Sequence, residues 1–245
     1  MRGRRSREGV WVLNTWIDLA RGPLFRAALT FAVVGLVRHV IVTAWDMRCV
    51  MQRAADRQVP YRQVLTATLR WLFPVATVRH RFAYSVTSVA FHVAILLTPV
   101  FLAGHIALVA ASTGRSWWAI GSGVADVLTL VAVATALLLV IQRARTPDSR
   151  ALSHLQDYLL PLVIAVPFAA GFLMMHPGWN PLSYETTFLT HVVSADLVLV
   201  LLPVTKLRHM VLLPATQMVS ELAWHFPSDA GTRVGVALGR GEQPI

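Results

Sequence analysis

Residues 191–209 read HVVSADLVLVLLPVTKLRH, an apolar stretch with a histidine at each end. His191 and His209 are 18 positions apart. On an uninterrupted α-helix, at about 100° per residue, that separation is close to five whole turns, so both rings leave one face roughly 27 Å apart. A hydrocarbon core of about 30 Å takes about 20 such residues, so the stretch is expected to form a single membrane-crossing helix.

The rest of the chain has the same character. Of 245 residues, 56% are hydrophobic and 14% charged, and the mean hydropathy is +0.58. Soluble domains carry about 25% charged residues. Four more apolar stretches, roughly 24–45, 84–110, 119–141 and 155–175, join 187–206 to give an expected all-α integral membrane bundle of five transmembrane helices. The basic start MRGRRSREG leads into WVLNTWIDLARGP without a small-residue cleavage site, so the first span is expected to stay in the mature protein. Residues 10–21, with Trp11 and Trp16, suit a short interfacial segment. The expected division is an N-terminal segment 1–23, a five-helix domain 24–209 and a C-terminal tail 210–245.

Arginines set the expected orientation, because cytoplasmic loops carry the excess of positive charge. Arg48, Arg53, Arg57, Arg62, Arg70, Arg79 and Arg81 fall between spans one and two, and Arg143, Arg145 and Arg150 between spans three and four. Trp117, Trp118 and Trp179 occupy the opposite connections, which hold little charge. An N-out, C-in topology follows, although Arg2, Arg4, Arg5 and Arg7 then lie outside. The net charge of +10 is mostly topological and does not point to nucleic acid.

Cys49 is the only cysteine, which excludes an internal disulfide, a thiolate iron–sulfur site and thioether-linked haem. No glycine-rich phosphate loop, zinc-protease motif or nucleophile elbow occurs. Histidines remain. Span two supplies His92 and His105 in FHVAILLTPVFLAGH, 13 positions apart and so about 20 Å along a helix. With spans two and five antiparallel, the level-matched pairs are His92 with His209 on the cytoplasmic side and His105 with His191 on the outer side. Each pair is expected to hold one of two stacked b-type haems through bis-imidazole ligation, which leaves no open position on iron and favours electron transfer. Thirteen residues of ideal helix rotate His105 about 220° away from His92, so Pro99 must re-aim the distal half. Gly104 removes a side chain where a macrocycle could press on the backbone. The alternative is a haemless scaffold or small transporter whose histidines pack or relay protons.

His176, in MMHPGWNP near the outer level, and Asp196, inside span five, are candidates for a quinone or proton site, and His176 could also replace His191 as ligand. Asp126 and Asp196, both inside spans, are expected to hydrogen-bond a facing helix or water, with proton uptake or release during quinone chemistry the alternative, and Asp157 is expected to favour the start of span four. His39, His80, His154 and His225 read as interfacial, loop or tail residues.

The run from His191 to His209, with Pro203 and Lys206 at fixed offsets, resembles the last span of the nitrate reductase gamma subunit family of dihaem cytochromes b. FHVAILLTPVFLAGH is similar to related cytochromes of heterodisulfide-reductase-like, sulfite-reduction-linked and nickel–iron-hydrogenase-associated complexes, a group that VADVLTL and QDYLLPL also fit. The 13-residue spacing favours this second branch. The resemblance implies a multi-pass subunit of a bacterial or archaeal cytoplasmic membrane. Such a subunit exchanges electrons between a quinone, near the outer haem, and a cytoplasmic iron–sulfur partner, either heterodisulfide-reductase-like or like that of nitrate reductase. The named reaction would belong to the complex and its catalytic subunit, not to this chain alone. The stretch after His209 is expected to dock the partner through Trp224 and Phe226, or to lie on the membrane surface.

Overall fold

The computed structural model describes residues 2–53, 61–72, 82–223 and 230–239. Arg57, Arg79, His80, Arg81, Trp224, His225 and Phe226 lie outside the described residues. Everything described is helix or short connection, without a strand. Five helices are long and apolar enough to cross a membrane: Trp11–Cys49, Phe82–Phe101, Ser122–Arg145, Leu155–Met175 and Tyr184–Val204.

The first differs from expectation at its start. Helix α1 (Arg2–Leu19) does not stand apart as an N-terminal segment but continues through a π turn, Ala20–Leu24, into α2 (Phe25–Arg53). Pro23 sits in that turn. It has no N–H to give the ladder, and a widened turn accommodates the gap. After α3 (Tyr61–Leu72), the expected second span is two helices, α4 (Phe82–Phe101) and α5 (Ala103–Thr113), separated by Leu102 in extended backbone (φ −74, ψ 127).

The break is stabilised by donors that the regular ladder does not supply. Pro99 O accepts from His105 Nδ1 (3.0 Å), Val100 O from Trp117 Nε1 (2.9 Å) and Phe101 O from the Ile120 N–H (3.0 Å). Trp118 stacks on Phe101 at 4.4 Å. A carbonyl buried without a donor costs about 1–3 kcal/mol, so these three bonds allow the helix to stop where it does. Trp117, read as a belt residue, is also a helix cap.

Helix α6 (Ser122–Arg145) leads through short α7 (Pro147–Ala151) to α8 (Leu155–Met175), whose first turn is closed as expected by Asp157 Oδ2 accepting from the His154 N–H (2.9 Å). Then come α9 (Tyr184–Val204), a 3-10 turn (Lys206–Arg208), α10 (His209–Ala223) and α11 (Ala230–Ala237). The uninterrupted helix expected from His191 to His209 is not present. Helix α9 contains Pro203 and stops at Val204, and Thr205 is extended (φ −119, ψ −172), its Oγ1 accepting from the Leu207 N–H at 3.2 Å. His209 opens the next helix, so the five-turn phase relation with His191 does not hold.

The chain forms two compact units, Met1–Phe31 with Thr77–Leu201, and Ala32–Ala76 with Leu202–Ile245. In the first, α4 packs on α6 and α6 on α8. Their buried stripes recur at helical spacing: Thr87, Phe91, Ala94 and Thr98 on α4, and Ala125, Thr129, Ala132, Ala136 and Leu139 on α6. Lipid is as apolar as these side chains, so small residues that let backbones approach are what hold such helices together. Polar bonds tie one end: Gln142 Nε2 donates to Thr87 Oγ1 (3.1 Å), and Arg143 to Tyr84 Oη (3.1 Å) and Ser153 Oγ (3.0 Å). In the second unit, α3 packs on α10 and buries Val64 and Thr68.

Candidate haem-ligand pair

Three helices meet around two imidazoles in the first unit. His105, on α5, and His191, on α9, lie with ring centroids 6.0 Å apart and planes 21° from parallel. Each ring is tied through Nδ1 to a proline carbonyl: His105 to Pro99 O (3.0 Å) and His191 to Pro167 O of α8 (2.8 Å). A carbonyl oxygen can only accept, so Nδ1 carries the hydrogen in both rings. Nε2 is therefore the lone-pair nitrogen, and it has no hydrogen-bond partner among the described residues. A histidine that donates one N–H to a carbonyl while presenting its other nitrogen is the arrangement by which proteins orient metal-binding imidazoles and raise their basicity.

The break after Pro99 produces this pairing. On one ideal helix His105 would point away from His92's direction; restarting the helix at Ala103 frees the Pro99 carbonyl and lets His105 turn onto it. On the other side, a Cβ on Gly171 would stand 3.3 Å from both Cε1 and Nδ1 of His191. Gly171 thus admits the ring against α8, a role that its sequence context does not signal. At Gly104 a Cβ would meet nothing within 4 Å, so no contact within the chain requires a glycine there.

The other two candidate ligands lie in different units. His92, in the first, sends Nδ1 to Ser88 O (2.7 Å) with its ring edge-on to Phe91, and His209, in the second, sends Nδ1 to Lys206 O (2.7 Å). His39 is bonded differently. Its Nε2 donates to Pro203 O (2.8 Å), which occupies the nitrogen that His105 and His191 present.

His176, at the end of α8, is joined not to Asp196 but to Asp126 of α6, with Nε2 3.4 Å from Oδ2. Its Nδ1 donates to Phe172 O (2.9 Å) and its ring stacks on Phe172 at 4.1 Å. Asp126 therefore faces a neighbouring helix, as expected. Asp196 does not find the partner expected of it: it is 3% exposed, and neither carboxylate oxygen has a hydrogen-bond partner among the described residues.

Tested against a haem, the His105–His191 pair fits by donor chemistry, with two presented Nε2 atoms on fixed rings. Imidazole binds metals at about 2 Å and its centre lies about 1.1 Å behind the ligating nitrogen, so two rings on opposite sides of one ion stand roughly 6 Å apart between centroids. At 6.0 Å the two rings already stand at about that separation.

Over 199 residues, 78% of this chain and 85% of the relative, the sequence is 32% identical to that of a protein from Nitratidesulfovibrio vulgaris described only as "Protein". No family profile and no solved structure matches the chain.

Proposed function

We propose a function for this chain, which belongs to the same family as the Nitratidesulfovibrio vulgaris protein: it is a membrane-anchoring b-type cytochrome, N-out and C-in, that passes electrons between a quinone pool and an iron–sulfur partner subunit. The observation that carries the reading is the His105–His191 pair, drawn from two helices and bonded through Nδ1 to Pro99 and Pro167. Four histidines on two apolar segments, and their resemblance to dihaem cytochromes, extend the proposal to two haems, with His92 and His209 the ligands of the second.

When bound, a bis-imidazole haem supplies a one-electron carrier with both axial positions filled. The chain's part is to hold it. His105 and His191 would provide Nε2, the Pro99 and Pro167 carbonyls keep the rings from rotating, and Gly171 leaves the His191 ring its place. Neutral imidazole also suits an apolar span, where a charged ligand would be costly.

A reduced-minus-oxidised optical spectrum of the purified membrane protein tests the reading. The expected result is a b-type alpha band with two haems per chain; its absence would leave a haemless scaffold or proton-relaying transporter as the better account. Gly171→Ala gives a graded check. Its methyl would press on His191 at 3.3 Å, so the haem remains but its alpha band shifts and its affinity falls, whereas Gly171→Leu should lose one haem.

A further inference from the structure

We propose that Asp126 and His176 form a dyad that exchanges protons with the hydroquinone serving the His105–His191 haem, an inference that rests on the haem and quinone reading above. The dyad's capacity for a proton follows from its geometry. Phe172 O only accepts, so His176 Nδ1 holds a hydrogen and Nε2 faces Asp126 Oδ2 at 3.4 Å. With no proton between them, a lone pair would oppose a carboxylate. A proton taken up by the pair, as imidazolium with carboxylate or as imidazole with carboxylic acid, would relieve that opposition, which makes the dyad a proton acceptor.

Its place suits a ligand dissolved in the bilayer. The His176 and Asp126 side chains are 32% and 36% exposed, which makes the pair reachable, unlike Asp196. Phe172 stacks on the His176 ring, and Trp179 stands 6.5 Å from it, so flat apolar surfaces flank the polar pair. Gly171, which touches His191, precedes His176 by five residues, or about 7 Å of helix rise. A planar donor at the dyad is thus within a turn or two of the ring proposed to ligate iron.

The balance is complete with the partners already named. A hydroquinone that becomes a quinone breaks two O–H bonds and releases two electrons. The two electrons would pass one at a time to the proposed haem held by His105 and His191 and from it to the iron–sulfur partner. Each proton goes to Asp126 and leaves the dyad for water at the membrane edge. Quinone reduction runs the same transfers in reverse.

The test uses the full haem-loaded chain, with Asp126→Asn, His176→Gln and Asp126→Glu. Haem reduction is followed with a short-chain naphthohydroquinone and, separately, with reduced methyl viologen, which delivers electrons without protons. Both D126N and H176Q should keep wild-type haem content and viologen rates while hydroquinone rates fall about a hundredfold, with D126E recovering most of the loss. Infrared difference spectra upon hydroquinone oxidation should show a carboxylic-acid band in the wild type that D126N lacks. Wild-type hydroquinone rates in both variants, or equal slowing with both donors, would overturn the dyad's role. A wild type that viologen reduces and hydroquinone does not would instead overturn the quinone reading, and the dyad proposal with it.

Discussion

His105→Ala and His191→Ala should each lower the haem content from two per chain to one, and should remove the same component of the alpha band. Both rings are held against backbone carbonyls of other turns or helices, at 3.0 and 2.8 Å, so no neighbouring side chain is poised to take over. An iron left with one imidazole loses the low-spin bis-imidazole spectrum even where the macrocycle is retained. Two comparisons keep the result specific. His39→Ala should retain both haems, because the nitrogen a metal would need is already given to Pro203 O. His176→Gln should retain both as well, because His176 is committed to Asp126 and Phe172. Two low-spin haems in either H105A or H191A would remove the pair from the ligand set.

A haem-free control separates ligand loss from unfolding. Removing the His191 ring also leaves Pro167 O without its side-chain donor, a loss worth about 1–3 kcal/mol where the carbonyl is buried. H191A should therefore melt somewhat lower than the wild type while keeping its helical circular dichroism. His191→Gln, which can still donate to the carbonyl, should restore part of the stability and none of the haem.

How much of this was legible in the sequence depended on whether a local rule or a tertiary contact decided it. Hydropathy located five spans, since length and apolarity are local properties that lipid enforces on every segment. The nearness of His105 and His191 was also legible, because matching levels on antiparallel spans needs only the rise per residue. Phase was not. The sequence put His191 and His209 on one helix, but Pro203 and extended Thr205 end it early. A proline can kink or terminate a helix, and the choice depends on whether outside donors meet the freed carbonyls. For Pro99, Val100 and Phe101 those donors come from residues as far along as Trp117 and Ile120, and for Pro203 from His39. The same holds for Asp126 and His176, 50 residues apart on different helices. Nothing in the spacing of either residue signals the other.

Among the described residues, proline carbonyls receiving histidine N–H groups recur three times, at Pro99, Pro167 and Pro203, and the third case carries the other large expected effect. Gly35→Ala should lower the stability of the second unit by about 1–3 kcal/mol, the usual cost of overpacking a close contact. Its Cβ would stand 2.5 Å from Pro203 Cβ and 2.9 Å from Cγ. Neither atom can turn aside, because both belong to a rigid pyrrolidine ring, so the backbones must separate. His39 lies one turn beyond Gly35 on the same face of α2, and that separation would pull its Nε2 away from Pro203 O. G35A thus removes a contact and a hydrogen bond together, whereas His39→Ala removes only the bond, at about 1 kcal/mol. The two losses share a cause, so they should not add: G35A/H39A should melt close to G35A alone in detergent, followed by near-ultraviolet circular dichroism. Full additivity, or an unchanged melting temperature in G35A, would show that Gly35 and His39 do not act through one joint at Pro203.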